Sequence, residues 1–172
     1  YMFGVETALT SLDVSSFDTS KVTTMERMFQ YCEALTSLDL SNFDTTNVTS
    51  MRGMFKDCTA LKTLTLGSKF TTSNVTDMQA MFSNCKALTA VDVSGWDTSK
   101  VTNMRTMFGN CNVLAALDVS HWNTHNVTDM GWMFNFCYAL TALDVSGWNT
   151  SAVTNMGAMF KDCTALTALG LS

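Results

Sequence analysis

The sequence lacks several features that would point to common classes of function. It contains no proline, and its ten Lys and Arg are outnumbered by fifteen Asp and Glu, giving a formal net charge of −5. Nucleic-acid-binding proteins need clustered positive charge to neutralise phosphates, so nucleic acid is a poor candidate partner. No apolar run approaches the ~18 residues of a membrane-spanning helix. We therefore expect neither a nucleic-acid partner nor a transmembrane segment for residues 1–172.

Residues with the chemistry of catalysis or metal binding are also scarce. No nucleophile, base and acid share a motif, and the chain contains neither a phosphate-binding loop nor a C-x-x-C pair. The only histidines, His121 and His125, flank Trp122 in a predicted turn that has no third metal ligand in register. We expect no enzymatic activity, no catalytic residues, no cofactor and no metal centre.

One 26-residue unit is used about six times along the chain. The pair Met28-Phe29 recurs at 54, 81, 107, 133 and 159, so the steps are 26, 27, 26, 26 and 26 residues. The consensus reads V-T-x-M-x-x-M-F-x-x-C-x-A-L-T-x-L-D-V-S-x-[FW]-[DN]-T-S-x. Such self-similarity is typical of solenoids, in which each unit buries its apolar face against the next. We expect residues 1–172 to form one solenoid domain of about six repeats with partial terminal units, as a fragment of a longer array.

The first half of each unit has the apolar spacing of a short helix. In the first full unit the apolar positions are Val22, Met25, Met28, Phe29 and Cys32. Steps of three and four residues place such side chains on one face of a helix. A strand would need a period of two, so this spacing disfavours the alternative, which is a parallel β-helix without helices.

The second half of each unit has the spacing of a strand, since Leu38 and Leu40 alternate with Asp39. The predicted fold is therefore an α/β, leucine-rich-repeat-like solenoid with one short strand and one short helix per repeat. Six or seven strands would form a parallel sheet on one face. The extra residue of the single 27-residue step lies near Lys69 and is expected in a loop.

The whole chain resembles a known family of repeat proteins. The segment LTSLDLSNFDTTNVTSMRGMFKDC, residues 35–58, is similar to the repeat of BspA-like leucine-rich-repeat surface proteins. The resemblance implies a leucine-rich-repeat-like solenoid, an extracellular or cell-surface location and a role in adhesion. It supplies no catalytic residues.

The apolar columns of the repeat form the predicted core. Met adapts to irregular gaps, and a free Cys behaves as a small buried hydrophobe. For the cysteines, which stand one per repeat in a core-facing column, we favour a reduced ladder over disulfides between some neighbouring repeats. The predicted core columns contain Met28, Phe29, Cys32, Leu35, Leu38, Met54, Phe55, Cys58, Met81, Phe82, Cys85, Met107, Phe108, Cys111, Met133, Phe134, Cys137, Met159, Phe160 and Cys163.

A row of aspartates occupies one position of the predicted strands and should project from the open face of the sheet. We call Asp13, Asp39, Asp92, Asp118 and Asp144 the Asp row. Like charges on adjacent strands repel, so a compensating interaction is required. Hydrogen bonds from nearby serines or turn amides are one explanation. The other is a cation such as calcium, or a basic ligand, lying along the row, which makes Asp39, Asp92, Asp118 and Asp144 candidate partner-binding residues.

Two aromatic residues leave the register of the repeat. Trp132 and Phe136 are four residues apart in the predicted helix of one unit and point away from its core face. Two large apolar groups exposed together suggest a contact patch, although single exposed aromatics are common on protein surfaces. We treat this pair as the second candidate partner-binding surface.

Two unbroken threonine columns begin at Thr19 and Thr23. Regular threonine rows on a flat face are one route to ice binding, but capping and turn hydrogen bonds explain threonine at these positions better. Ice binding is therefore a minor functional alternative.

The main functional prediction is an extracellular adhesion or binding scaffold. It would recognise a protein or glycan on a host or neighbouring cell surface through an extended face of the solenoid. The alternative is a structural spacer or self-assembling stalk without its own ligand. Self-association is compatible with both functions.

Thiol labelling tests the predicted cysteine ladder. Alkylation of the native protein should be slow, because buried thiols are inaccessible, and should reach six thiols per chain after unfolding, as counted by mass spectrometry. Two or three disulfides in the unreduced protein would contradict the reduced ladder.

Overall fold

Successive repeats stack in parallel along the axis of a solenoid. The computed structural model describes residues 2–170, so Tyr1, Leu171 and Ser172 of the predicted domain lie outside the described residues. The strands are β1 (Ser37–Leu40), β2 (Thr63–Leu66), β3 (Ala142–Asp144) and β4 (Ala168–Gly170). β1 pairs in parallel with β2, and β3 with β4. Elsewhere single parallel bridges join equivalent positions of adjacent repeats, from Thr24 with Ser50 to Asp129 with Asn155.

The predicted helix is wrong, because residues 2–170 contain no helix. Residues 25–32 instead form two consecutive four-residue turns. The amide of Met28 donates to Met25 O at 3.3 Å, and that of Cys32 donates to Phe29 O at 3.2 Å, whereas an α-helix would bond each amide four residues back. The motifs M-x-x-M and F-x-x-C put an apolar residue at both ends of each turn. The apolar spacing that predicts a helix therefore also arises from a pair of turns.

The third residue of each turn adopts a left-handed backbone conformation. Arg27 and Tyr31 have φ values of 54° and 65°, and the equivalent residues of each later repeat are also positive. A positive φ at this position is the mark of a type II turn, and it is incompatible with a right-handed helix.

Alternate amides of the turn segment point along the solenoid axis and bond to the next repeat. The amides of Arg27, Phe29 and Tyr31 donate at 2.9 Å to the carbonyl oxygens of Arg52, Met54 and Lys56, respectively. Corresponding bonds join each later pair of repeats through residue 161. We call this set of axial backbone bonds the turn ladder.

The predicted continuous sheet is also wrong, since the described residues contain four strands in two separate pairs. Segments 90–93 and 116–119 keep the alternating burial of a strand but are not assigned to one. The extra residue predicted near Lys69 lies in a turn that follows β2 directly. Within the described chain, the pairing of β1 with β2 is not carried into the third repeat, and segments 90–93 and 116–119, which no insertion separates, are not paired with each other either.

The core lies between the turn ladder and the strand side. Its aromatic rings stack along the axis: Phe29 and Phe55 have centroids 5.7 Å apart with an interplanar angle of 2°. Most residues of the predicted core columns are buried, while Phe160 and Cys163 near one end are partly buried. The six cysteines are unpaired, and no helix among the described residues is long and apolar enough to cross a membrane.

Replacing Ala80 with glycine distinguishes the turn ladder from a helix by the sign of its effect. Ala80 has a φ of 57°, so Ala80→Gly should raise the free energy of unfolding by about 1 kcal/mol. In a helix the same change would lower it by about 1 kcal/mol. Chemical denaturation measures the difference.

Ala87→Gly is the matched control, because Ala87 lies in the same repeat but is not a positive-φ position. It should destabilise the protein modestly. Equal destabilisation by both substitutions would contradict the turn assignment.

Candidate functional site

The turn ladder places Trp132 and Phe136 on the outside of the solenoid. They are the third residues of the two turns of one repeat, with φ values of 62° and 58°. Glycine, asparagine and aspartate tolerate this conformation best, and Gly53 and Asn84 stand at equivalent positions in other repeats. Both aromatics thus project outward as the sequence predicts, but from turn corners and not from a helix face.

The aromatic side chains form a patch that includes a residue missed by the sequence analysis. Trp132 and Tyr138 are 40% and 45% exposed, and the rings of Phe136 and Tyr138 have centroids 5.9 Å apart. Lys161 Nζ lies 5.7 Å from the centroid of the Phe136 ring. We call Trp132, Phe136 and Tyr138 the aromatic patch.

Tyr138 could have been found by comparing repeats. It follows the column cysteine directly, and the equivalent residues elsewhere are all polar: Glu33, Thr59, Lys86, Asn112 and Thr164. An aromatic residue at this position departs from the repeat in the same way as Trp132 does.

The backbone beneath the aromatic patch is held on both sides. The Phe136 amide donates to Lys161 O at 2.9 Å, and Asn112 Nδ2 donates to Phe136 O at 3.0 Å. The patch therefore lies on a backbone fixed to both neighbouring repeats, which limits the entropy lost when a partner binds.

Each carboxylate of the Asp row is held by the serine two residues later, as the hydrogen-bonding explanation predicts. The serine amides donate to the aspartate Oδ1 atoms at 2.9–3.1 Å in all five repeats concerned. At Asp92 and Asp118 the hydroxyl groups of Ser94 and Ser120 also donate, both at 2.7 Å. Local hydrogen bonds thus offset part of the repulsion along the row.

These hydrogen bonds stabilise the charged form of each carboxylate. The Ser120 hydroxyl, followed by the Ser120 amide, lowers the pKa of Asp118, and the Ser94 hydroxyl and amide do the same for Asp92. The row is therefore a line of exposed negative charges at neutral pH. Within residues 2–170 no group of three or more His, Cys, Asp or Glu side chains is placed to hold a metal ion.

A shallow depression runs beside the Asp row on the strand side. Two adjoining parts of about 480 and 390 Å³ are lined by Asp118 together with Ala116, Ala142 and Ala168. The small side chains leave the carboxylates accessible from one side, so this surface could accept a basic partner.

The threonine columns are used inside the scaffold. Thr45, Thr72, Thr98 and Thr124 are buried, and the Thr72 hydroxyl donates to Asp97 O of the next repeat at 2.8 Å. The exposed column also bonds along the axis, since Thr102 Oγ1 donates to Thr76 O at 3.1 Å. Because these hydroxyls bond between repeats, the columns do not present the free array that ice binding requires.

Five of the six cysteine thiols are buried, Cys163 is partly buried, and all are poorly suited to react. Cys58 Sγ donates to Phe29 O at 3.1 Å, and the same contact recurs along the column. Burial raises the pKa of Cys32 to about 11 and that of Cys137 to about 12. A thiol with a raised pKa is protonated at neutral pH and is a weak nucleophile. The cysteine column therefore serves to fill the core.

A family model described as Mycoplasma protein of unknown function, DUF285, matches residues 1–91 and 89–169. The two matches together cover nearly the whole repeat array. A search of curated proteins finds no match.

Removing the Ser120 hydroxyl tests the electrostatics of the Asp row. Ser120→Ala should raise the pKa of Asp118 toward its ordinary value, because that hydroxyl is the largest cause of the lowering. The stabilising contribution of this bond is present above the ordinary pKa and lost as the pH falls through the lowered pKa. Carboxyl chemical shifts followed by NMR against pH measure both values.

Ser146→Ala provides the comparison, since the Ser146 amide is the largest cause at Asp144 and remains after the substitution. The pKa of Asp144 should therefore rise less than that of Asp118. Equal pKa shifts at the two aspartates, or no pKa shift at Asp118, would show that the Ser120 hydroxyl does not lower the pKa of Asp118.

Proposed function

The chain belongs to the DUF285 family of Mycoplasma proteins, and we propose that it is a non-enzymatic binding scaffold at the cell surface or in the extracellular space. In this proposal the aromatic patch contacts a protein or glycan partner. The resemblance of the repeat to BspA-like surface proteins supports the location and the adhesive role.

The observation that carries the proposal is the backbone conformation beneath two of the exposed aromatics. A side chain larger than glycine in the left-handed region destabilises the fold by roughly 1–2 kcal/mol, and branching or bulk at Cβ adds to this. Trp132 and Phe136 occupy such positions without becoming buried in the core. Since neither backbone preference nor core packing favours them there, a contact outside the chain explains them better.

The composition of the patch suits recognition of a partner. Aromatic residues bury a large area while losing few rotamers, and a few buried aromatics supply most of the energy of many interfaces. Trp132, Phe136 and Tyr138 offer ring faces and one phenol hydroxyl on a rigid support. Both a protein surface and the apolar face of a sugar ring could pack against these rings.

The Asp row is a second surface that a partner could use. Its contribution would be electrostatic, so it would weaken as salt screens exposed charges beyond about 8–10 Å. Contacts to the aromatic patch depend on buried apolar area and should tolerate salt. The ionic-strength dependence of binding therefore separates the two surfaces.

The alternative function is a spacer without a ligand of its own. The turn ladder favours it, because the bonds from Met25 N to Ser50 O through Phe136 N to Lys161 O run without a break along the axis. A rod of this kind could hold another domain away from a surface. It would not require the aromatic patch, so substitution of the patch decides between the two functions.

The double substitution Trp132→Thr with Phe136→Asn tests the proposal. Thr106 and Asn110 stand at the equivalent positions of the preceding repeat, with φ values of 57° and 62°, so the fold should be retained. Binding to partners found on a glycan array or among purified matrix proteins should fall at least tenfold, on the order of 1.4 kcal/mol or more.

Asp118→Asn with Asp144→Asn is the matched surface control and should leave that affinity within about twofold. A partner whose affinity is unchanged by the Trp132 and Phe136 substitutions would contradict binding through the aromatic patch. Unaltered thermal unfolding of both variants excludes loss of structure as the cause.

A further inference from the structure

On the strand side, the backbone pairing of β1 with β2 ends at the junction between the second and third repeats, and residues 89–95 and 115–121 of the described chain are likewise not joined by backbone hydrogen bonds. β2 pairs with β1, but no backbone hydrogen bond joins residues 63–67 to residues 89–95 within the described chain. Gly67 lies directly on the preceding repeat, since a Cβ there would approach Ser41 O to 1.9 Å. The inserted turn therefore packs toward β1 and leaves a gap on the side of the third repeat.

This gap is a fissure of about 230 Å³. Its apolar walls come from Leu64, Leu66, Phe70 and the Trp96 ring, and Asp92 is the charged residue that lines it. The nearby Lys69 does not neutralise Asp92, because Lys69 Nζ pairs with Asp44 Oδ2 at 3.7 Å. The fissure thus combines an apolar interior with one carboxylate.

Glycine at position 95 keeps the fissure open. At the equivalent position of an earlier repeat, Asn42 closes the junction, because its Nδ2 donates to Val14 O at 3.0 Å and to Phe17 O at 3.0 Å. At Gly95 a Cβ would have no atom within 4 Å. A side chain at position 95 would therefore fit into the fissure, and glycine leaves that space empty.

The indole of Trp96 has lost the acceptor that its equivalents use. Trp122 Nε1 donates to Val93 O at 3.2 Å, and Trp148 Nε1 donates to Val119 O at 3.0 Å. The rings of Trp96 and Trp122 are stacked, with centroids 6.5 Å apart and planes parallel to within 1°. Trp96 Nε1 has no acceptor among residues 2–170, and it is not one of the buried polar atoms, so it is open to the solvent in the fissure.

Because this N–H is open to the fissure, water or a ligand oxygen can accept from it. The donor lies in a cavity that also offers apolar contacts and a carboxylate. These three features together define what a matching ligand must contain: an acceptor oxygen, an alkyl stem and a positive charge.

We propose that the fissure between the second and third repeats binds a lysine residue of a partner protein. The carbonyl oxygen next to the lysine accepts from Trp96 Nε1. Its methylene chain packs on Leu64, Leu66 and Phe70, and its ammonium group pairs with Asp92. This site lies apart from the aromatic patch and does not depend on the function proposed for it.

The Asp92 carboxylate is prepared for this role. Its Oδ1 accepts from the amide and hydroxyl of Ser94 at 3.1 and 2.7 Å. These bonds hold the carboxylate in place and lower its pKa, so it is ionised at neutral pH. The second carboxylate oxygen can then accept from an ammonium group.

Indole N–H signals in NMR spectra report binding at this site directly. The chain has four tryptophans, so four signals are expected and each can be assigned by substitution. Titration with Nα-acetyl-L-lysine N-methylamide should shift the Trp96 signal downfield, with a dissociation constant on the order of 1 mM for so small a probe. The Trp122 and Trp148 signals should not move, because their N–H groups already have acceptors.

Two variants and one modified probe complete the test. Gly95→Asn places in the fissure the side chain that closes the earlier junction, and it should abolish the shift. Asp92→Asn should weaken binding about three- to fivefold, whereas Asp118→Asn, at the equivalent position of the next repeat and outside the fissure, should not. The Nε-acetylated probe, which has no charge, should bind as weakly to the parent as the charged probe does to Asp92→Asn.

An unmoved Trp96 signal at ten times the expected dissociation constant would overturn the proposal. Equal shifts from the charged and acetylated probes, or an undiminished shift in Gly95→Asn, would do so as well. Thr102 and Thr128 amide signals, which report the axial bonds of the intact scaffold, show whether each variant is folded.

Discussion

The structure depends on one kind of interaction, which is the donation of alternate backbone amides to the next repeat. In the segment from Met25 to Cys32 the amides alternate between bonds inside a turn and bonds along the axis. Both sets of bonds are satisfied only if the third residue of each turn has a positive φ. The position of the apolar side chains follows from this geometry, because the two ends of each turn face inward. The stacked phenylalanines and the cysteine column are therefore consequences of the turn ladder, and they fill the space that it encloses.

The sequence predicts the repeat and its buried columns but not the local backbone. Columns such as Phe55 and Cys58 are found by counting, and so is the insertion near Lys69. The helix is predicted wrongly because spacings of three and one residues suit both a helix and two adjoining turns. Positive φ could not be inferred, since most repeats carry residues such as Thr106 where glycine would be the usual signal. The breaks in the sheet could not be predicted either, because segments 90–93 and 116–119 alternate like strands in sequence and burial but do not pair within residues 2–170.

The candidate surfaces arise where single repeats depart from the consensus. Because the repeats are so similar, a residue that does not contribute to packing between them can be recognised by comparing equivalent positions. Trp132 was identified by sequence on this basis, and Tyr138 could have been. The fissure is different, because its essential features are absences: a missing side chain at Gly95 and a missing acceptor for Trp96. Such features become visible only when equivalent contacts in neighbouring repeats are compared in three dimensions.

The turn ladder can be observed directly by scalar couplings through hydrogen bonds. Phe82 is the most informative donor, because its amide lies 2.9 Å from Met107 O of the next repeat. In a helix the same amide would donate to the carbonyl four residues back, which is that of Met78. A long-range correlation between Phe82 N and the Met107 carbonyl carbon is the predicted result. A correlation to Met78 instead would contradict the turn ladder and restore the helix.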